Sequence, residues 1–211
     1  MRLTLDAVTH GYAADVVLLD GVSLEVRRGE SIAVVGPSGS GKTTFLSVAG
    51  GLLRPRAGTV RVTEDDGVTR SVEPLTSWVL QTVNVLPDRT VLDNVALGAF
   101  GDGRARAEAV AAVGPALAAV GLAGYETRKV RRLSGGEVQR TVIARALVSD
   151  RPVVLADEPT GQLDQATSAV VVEALLAATV DKVLVVVTHD PAVAARCDRT
   201  YRLSAGRLEL A

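Results

Sequence analysis

The chain has 211 residues and a formal net charge of −1, from 23 basic and 24 acidic side chains, which provides no general attraction to nucleic acid. Hydrophobic residues make up 47% of the chain and aromatic residues only 3%, which predicts an aliphatic core, and the single cysteine, Cys197, excludes an internal disulfide. The sequence shows no signal peptide and no apolar run long enough to span a bilayer, so we expect a cytoplasmic chain that reaches a membrane only through a partner.

Short strands and one helix are predicted for the first third of the chain. Leu3 and Leu5 alternate with polar neighbours, as a half-buried strand requires, whereas His10 is assigned to a turn without a role. The sequence predicts a buried strand at 31–35, a helix at 42–49 that ends at Gly50-Gly51, and a further strand at 59–63.

The middle of the chain, about 85–150, is predicted to be helical. Alanine and arginine dominate 104–121, and Gly114-Pro115 is expected to divide this stretch into two helices. Beyond residue 150 the predicted elements alternate between strands, at 153–156 and 183–187, and helices, at 165–179 and 191–196. This alternation predicts parallel strands joined by right-handed crossovers.

A phosphate-binding loop follows the strand at 31–35. It fits the pattern Gly-x4-Gly-Lys-Ser/Thr at every fixed position and leads into a helix, which argues against a plain glycine-rich turn. Backbone N–H groups of such a loop wrap phosphates, Lys42 would contact the β- and γ-phosphates, and the Thr43 hydroxyl would bind Mg²⁺. The nucleotide-binding residues predicted here are Gly36, Pro37, Ser38, Gly39, Ser40, Gly41, Lys42, Thr43 and Thr44.

Three candidates follow apolar strands later in the chain. Asp157 and Glu158 come directly after the apolar run 153–156, at a sheet edge where ligands collect in open α/β folds. Because adjacent strand residues point in opposite directions, Asp157 can serve Mg²⁺ while Glu158 acts as a base toward the attacking water. His189 follows 183–187 and can hydrogen-bond a γ-phosphate oxygen. Taken singly, each also fits an ordinary strand end or turn.

A second phosphate site is predicted at Leu133-Ser134-Gly135-Gly136-Glu137. Ser134 and Glu137 stand at capping-box spacing, which predicts the start of a helix. Gly135 and Gly136 leave the backbone bare, and the N-terminus of a helix attracts anions. On the spacing alone, an ordinary capped surface helix is the alternative.

Three further residues are weaker candidates. Gln81 can bind Mg²⁺ or orient water, although a solvated glutamine is the ordinary interpretation. Tyr12 can stack on a nucleobase but fits equally well as a turn aromatic. Asp164 can simply cap the helix that follows it.

Together these motifs resemble the ATP-binding subunit of an ABC transporter, in the family's order and over essentially the whole chain. The resemblance implies an α/β fold with a P-loop NTPase core, in which helices flank a mainly parallel sheet. It also implies an antiparallel β part at the N-terminus and an inserted helical subdomain. These would form one domain over 1–211, with the core at 1–84 and 151–211 and the helical part at about 85–150. The family's cofactors are ATP and Mg²⁺, and its site would include Glu158, His189, Gln81 and Lys42 in catalysis, Tyr12 and Asp164 beside the nucleotide, and Thr43, Gln81 and Asp157 at the metal.

The resemblance also accounts for two phosphate sites in one chain. Residues 133–137 match the family's signature motif, which opens the signature helix. Members of the family act as head-to-tail dimers, with ATP between the phosphate loop of one copy and the signature helix of the other. A membrane permease would dock near 82–100 and hold the chain peripherally on the inner face of the membrane. Segments 84–87 and 159–164 look like those of lipoprotein-release, macrolide-efflux and cell-division ATPases, except that Gln162 replaces the usual asparagine.

Two other functions are compatible with the same motifs. One is a mechanical regulator whose ATP cycle controls a membrane partner that moves nothing across. The other is a soluble ATPase of nucleic-acid repair or translation, for which the chain lacks both a basic excess and a long insertion.

Overall fold

The computed structural model describes residues 1–12, 16–81 and 84–211, which fold into two units. The first unit comprises 1–76, 152–157 and 179–211, and the second comprises 77–151 and 158–178. The chain therefore leaves the first unit twice, and its second departure begins at Glu158. The strand β6, Thr76–Val79, contains the first point at which the chain passes from the first unit to the second, between residues 76 and 77.

An antiparallel sheet forms the N-terminal part of the first unit, as expected. Its strands are β1 (Arg2–His10), β2 (Leu19–Arg27), β4 (Ala57–Thr63) and β5 (Thr69–Arg70), in the order β2-β1-β4-β5. The assignment of His10 to a turn is wrong, because His10 is the last residue of β1 and pairs with Leu19. Its side chain is buried, and its Nδ1 lies 3.0 Å from the Arg54 carbonyl oxygen.

A mainly parallel sheet forms the rest of the first unit. Its strands in this unit are β3 (Ser31–Val35), β7 (Val153–Asp157), β8 (Val183–Val187), β9 (Arg199–Ser204) and β10 (Arg207–Leu210). They lie in the order β10-β9-β3-β8-β7, and only β10 runs antiparallel to its neighbour. Every residue of β7 and β8 is buried, as valine-rich strands covered on both faces require. Helices α1 (Lys42–Ala49) and α6 (Pro191–Ala194) belong to the same unit.

Helices dominate the second unit. They are α2 (Val91–Phe100), α3 (Arg106–Ala119), α4 (Gly135–Leu147) and α5 (Gln165–Ala178). The expected break at Gly114-Pro115 is wrong, because α3 continues through both residues. Inside a helix a proline ring clashes with the carbonyl four residues back and with the N–H and Cβ of the preceding residue, and Gly114 removes the Cβ part of this clash. Burial of Ala116 and Leu117 beyond the proline stabilises the continuous helix.

The helices α2 and α4 touch through their backbones. A Cβ placed on Gly98 would lie 2.1 Å from the Arg145 carbonyl oxygen, so only glycine fits there. One turn earlier, the fully buried Asn94 accepts a hydrogen bond from Arg145 Nη2 at 3.0 Å. Arg145 also donates to the carbonyl oxygens of Asn94 and Asn84.

Among the helices of residues 1–12, 16–81 and 84–211, we find none with the length and apolar character needed to cross a bilayer.

Candidate functional site

Three predicted site segments of the first unit meet at one edge of the parallel sheet. Val34 of β3 and Asp157 of β7 are both in register with Val187 of β8. The Thr188 N–H extends this ladder by donating to the Val34 carbonyl at 3.2 Å. The phosphate loop, Asp157 and His189 therefore all lie at the carboxyl ends of neighbouring parallel strands.

The phosphate loop has a backbone that requires glycine at two points. Gly41 is the N-cap of α1 with φ at 93°, in the left-handed region, and no side chain within the described residues caps this helix. A Cβ on Gly36 would lie 2.4 Å from the Leu203 carbonyl oxygen. The first N–H groups of α1 are thus left to bind an anion, as a helix N-terminus does for phosphate.

Lys42 and Thr43 begin α1 and point their polar atoms into the same edge of the sheet. The Lys42 ammonium donates to the carbonyl oxygens of Gly36 and Pro37, both at 2.9 Å, so the loop curls around its own lysine. The Thr43 hydroxyl donates to Asp157 Oδ2 at 2.9 Å, and Asp157 is only 4% exposed. These contacts gather one cation and a pair of oxygen ligands beside the loop.

The oxygen pair of Thr43 and Asp157 fits Mg²⁺. Magnesium prefers oxygen ligands and usually takes one or two from the protein, with the rest from water and substrate phosphates. The described part of the chain contains no group of three or more His, Cys, Asp or Glu side chains able to hold a metal by themselves. A phosphate-bearing substrate would therefore have to complete the coordination.

Tyr12 and Thr44 lie next to the loop in the first unit. The Tyr12 ring is 67% exposed, and its hydroxyl lies 3.3 Å from Thr44 Oγ1 on α1. The His10 ring meets it edge-on, with centroids 5.7 Å apart. An aromatic face held beside a phosphate loop is available to stack on a flat base.

His189 is exposed in a braced turn just beyond β8. The Asp190 N–H donates to Thr188 Oγ1 at 3.0 Å, and Asp190 Oδ1 accepts from the Ala192 N–H at 2.8 Å to cap α6. These two bonds on either side fix the backbone at His189. The imidazole is thereby presented at the same strand ends as the phosphate loop.

The predicted capping box of the signature motif is present at the start of α4, in the second unit. The Glu137 N–H donates to Ser134 Oγ at 3.3 Å, and the Ser134 N–H donates to Glu137 Oε2 at 2.8 Å. The Tyr125 hydroxyl adds a bond to Glu137 Oε1 at 2.9 Å. These hydrogen bonds, led by that from the Ser134 backbone, hold the pKa of Glu137 below its usual value.

The two signature glycines pack against the loop that follows Glu158. A Cβ on Gly135 would lie 3.1 Å from Gln162 Oε1, and one on Gly136 would lie 3.2 Å from Leu163 Cδ2. Gly135 is exposed while Gly136 is half-buried. The bare start of α4 and the loop 159–164 therefore form one continuous surface of the second unit.

Glu158 has a strained backbone. Its φ of 47° lies in the left-handed region, which residues other than glycine, asparagine and aspartate rarely adopt. Such strain costs about 1–3 kcal/mol and concentrates at functional sites. Gln139 of α4 supports the next residue by donating from Nε2 to the Pro159 carbonyl at 3.3 Å.

Gln139 is a residue that the sequence analysis assigned no role. It is only 1% exposed, and its position as a polar side chain on the buried face of α4 was the available signal. Asn94 and Arg145 were also missed, because the hydrogen bonds between them join residues 51 positions apart.

Asp164 and Gln81 occupy plainer positions. Asp164 Oδ1 accepts from the Thr167 N–H at 2.9 Å, and the Thr167 bonds lower the pKa of Asp164, which matches a helix-capping role. Gln81 is exposed, two residues beyond β6. The docking segment predicted at 82–100 begins with two residues that lie outside the described ones.

The predicted site residues therefore divide between the two units. The first unit brings together Tyr12, residues 36–44, Asp157 and His189, and the second contains Gln81, Ser134, Gly135, Gly136, Glu158 and Asp164. Each unit carries one phosphate-type site, built from the N-terminus of one helix.

The family model described as "ABC transporter" matches residues 19–161, which include both phosphate sites and the Asp157-Glu158 pair. The chain belongs to the ABC transporter family. It is similar to the lipoprotein-releasing system ATP-binding protein LolD of Chromohalobacter salexigens, at 45% identity over 92% of this chain and 86% of the relative. LolD of Shewanella sp. is 40% identical over 98% of this chain and 95% of its own length.

Solved structures of ABC cassettes share the fold. The dimeric structure of MJ0796, a bacterial ABC transporter cassette, has a TM-score of 0.85 and 32% identity, covering 98% of this chain and 96% of that one. A post-hydrolysis dimer of MJ0796 bound to ADP and Pi has a TM-score of 0.84 at 32% identity, with coverage of 98% and 96%. The chain is thus an ATP-binding, ATP-hydrolysing cassette of an ABC transporter.

Proposed function

We propose that two copies of this cassette bind ATP head to tail, with residues 36–44 of one copy and 134–136 of the other on the same nucleotide. The observation that carries the proposal is the bare, capped N-terminus of α4, which offers an anion site without a lysine or a metal ligand of its own. The phosphate loop supplies the lysine and the Thr43 hydroxyl that residues 134–136 lack. The similarity to dimeric MJ0796 supports the pairing.

The residues of the first unit would hold the nucleotide. The Lys42 ammonium would exchange its loop carbonyl partners for the β- and γ-phosphates, and the N–H groups of α1 would bind the same oxygens. Tyr12 would stack on the adenine. Thr43 and Asp157, with Gln81 from the other unit, would hold Mg²⁺, which neutralises charge on the phosphates when bound.

Hydrolysis would depend on Glu158 and His189. The carboxylate of Glu158 would accept a proton from water as the water oxygen attacks the γ-phosphorus. The bond between that phosphorus and the bridging oxygen breaks, and ADP leaves with the electron pair. His189 would hydrogen-bond a γ-phosphate oxygen and keep the water in line, while Asp164 and its loop would face the second copy.

The membrane partner would be a permease that contacts this cassette near 82–100 and holds it on the inner face of the membrane. ATP can move that partner only because the closed dimer binds ATP more tightly than the open state does. The names of these two LolD relatives suggest lipoprotein release as the first substrate class to test. The solved exporter of the Atm1 family, similar at a TM-score of 0.81 and 32% identity, supports a permease partner; the match covers 98% of this chain and 37% of that longer chain.

Substitution of Glu158 tests the catalytic assignment. We expect Glu158→Gln to lower ATP turnover by at least about 10²-fold, since a general base contributes that much, and to accumulate an ATP-bound dimer. Turnover is measured by phosphate release and the dimer by light scattering after gel filtration. Turnover at the wild-type rate would show that Glu158 is not the base.

Mixing two inactive variants tests the shared site. In a mixed dimer of Lys42→Ala and Ser134→Arg chains, the intact phosphate loop of the second chain faces the intact signature helix of the first. One complete site then forms, so the mixture should regain turnover that neither variant has alone. A mixture of the folded variants that forms the ATP-bound mixed dimer and still stays inactive would show that the head-to-tail arrangement is wrong.

A further inference from the structure

A strongly basic patch precedes the signature motif. Arg128, Lys129, Arg131 and Arg132 are all exposed and, with Thr127, line an open concavity of about 550 Å³. Four cations within five residues contrast with a net charge of −1 for the whole chain. The patch is therefore a local concentration of positive charge in the second unit.

The backbone of the basic patch is fixed to the start of α2. Lys129 forms an antiparallel bridge with Thr90, and the Val91 N–H donates to the Arg128 carbonyl at 2.9 Å. The Arg131 N–H donates to the Pro87 carbonyl at 3.0 Å, and 130–132 form a short 3-10 turn. The cations are thus carried on an ordered backbone that lies directly beside 87–91.

Little of this charge is neutralised within the chain. The Arg128 guanidinium stacks over the Tyr125 ring at 3.8 Å, and Arg131 pairs with Asp88 at 3.1 Å. Asp88 is 78% exposed, and a pair in that position is screened by water. In the part of the chain that the structure describes, the side chains of Lys129 and Arg132 make no hydrogen bond or ion pair.

We propose that the basic patch binds the headgroups of anionic phospholipids at the membrane surface next to the permease. The position beside the membrane rests on the proposed function, which puts 82–100 against the permease. Clusters of lysine and arginine near a membrane are attracted to the negative surface of its cytoplasmic leaflet. The cassette would then contact the membrane directly as well as through its partner.

The patch suits a fluid anionic surface better than a protein partner. Protein interfaces are held mainly by a few aromatic and arginine anchors that are fully desolvated in well-packed pockets at their centre. The only apolar side chain within 127–132 is Val130, which is 2% exposed and cannot act as an anchor. Long, exposed cations without fixed partners instead match lipid headgroups, which need no set register.

Vesicle binding by the full-length chain tests the proposal. We expect the protein to float with vesicles of phosphatidylcholine and phosphatidylglycerol at low salt, but not with phosphatidylcholine alone, and to dissociate as salt increases. Lys129→Glu combined with Arg132→Glu should lower the partition coefficient by at least about tenfold, since each cation near such a surface is worth about a fivefold change. The control is Arg56→Glu with Arg207→Glu, which has the same charge change on exposed arginines of the first unit and should bind as the wild type does.

Several results would overturn the proposal. Equal loss of binding in both double variants would show a dependence on net charge alone. Displacement by inorganic phosphate beyond that by sodium chloride of equal ionic strength would indicate a site for free phosphate. Preferential binding of transfer RNA, or of an acidic peptide from the permease, would indicate a macromolecular partner instead. Because the assay needs neither ATP nor permease, its failure would leave the ATPase assignment intact.

Discussion

At the scale of single residues, Asn94 satisfies all of its polar atoms within the second unit. Its Oδ1 accepts from the Leu86 N–H at 2.8 Å and from Arg145, while its Nδ2 donates to the carbonyl oxygens of Leu86 and Thr90. Burial lowers the pKa of the Arg145 guanidinium, because the charged form loses water, and these oxygen partners stabilise that charge. The Asn94 amide thus bonds both a half-buried cation and the backbone of Leu86, in the segment that begins at residue 84.

Asn94→Leu should destabilise the chain by about 3 kcal/mol, because Arg145 loses one of its three oxygen partners and three backbone groups of Leu86 and Thr90 each lose a hydrogen bond. Asn94→Asp retains an acceptor for Arg145 but loses two donors, so we expect a smaller effect. The measurement is the free energy of unfolding in urea, with the slope checked for each variant. Stability equal to that of the wild type in Asn94→Leu would contradict the structural role given to this amide.

At the scale of elements, the chain offers two capping boxes for comparison. Thr90 caps α2 as Ser134 caps α4, with the Asp93 N–H 3.1 Å from Thr90 Oγ1. Ser134→Ala and Thr90→Ala should each cost about 1 kcal/mol in urea unfolding, because each removes one cap acceptor. Only changes at Ser134 should affect the ATP-bound dimer.

Ser134→Arg extends this comparison. It should leave ATP binding by the chain's own phosphate loop unchanged while preventing the dimer from closing, because a long side chain would fill the approach to Gly135 and Gly136. Nucleotide binding by calorimetry and dimer formation by light scattering separate the two effects. A Ser134→Arg chain that dimerised and hydrolysed ATP normally would make α4 an ordinary capped helix.

The carboxylate in the α4 capping box predicts a pH dependence. Hydrogen bonds lower the pKa of Glu137 in the folded chain from its ordinary value of 4.5. The contribution of Glu137 to the free energy of unfolding is therefore fully present above about pH 4.5, and it is lost as the pH falls through the lower pKa of the folded state. Glu137→Gln should therefore flatten the loss of unfolding free energy between about pH 5 and about pH 3. The control is Glu209→Gln, on an exposed strand residue of the first unit.

The elements also show which parts of the structure are predictable. Helix α1 begins and ends at the residues expected, because its glycine signals lie within a few positions of each end. The prediction of a break at Gly114-Pro115 was wrong, because the glycine that weakens a helix also removes a Cβ that would clash with the proline ring. The contacts at Gly98 and Arg145, and the left-handed backbone of Glu158, depend on residues far away in sequence, and no local pattern reports them.

At the scale of the whole molecule, the predicted link to the permease can be tested at Leu86. This side chain is 46% exposed although the Leu86 backbone is held on both sides by Asn94. Leu86→Glu should weaken copurification with the permease, because a charge replaces an apolar contact, while the isolated chain still binds ATP. Leu52→Glu, at a leucine that is 53% exposed in the first unit, is the matched control. If both variants copurified with the permease to the same extent, the prediction that the permease docks at 84–100 would be wrong.

The backbone contact between Gly98 and Arg145 has a mechanical consequence. Two helices separated by side chains can shift by changes of rotamer, whereas backbone against backbone leaves no such compliance. Asn94 and Arg145 add hydrogen bonds to the same crossing, and both reach the segment that begins at residue 84. A displacement applied to that segment would therefore move α2 and α4 together, and Ser134 moves with the N-terminus of α4.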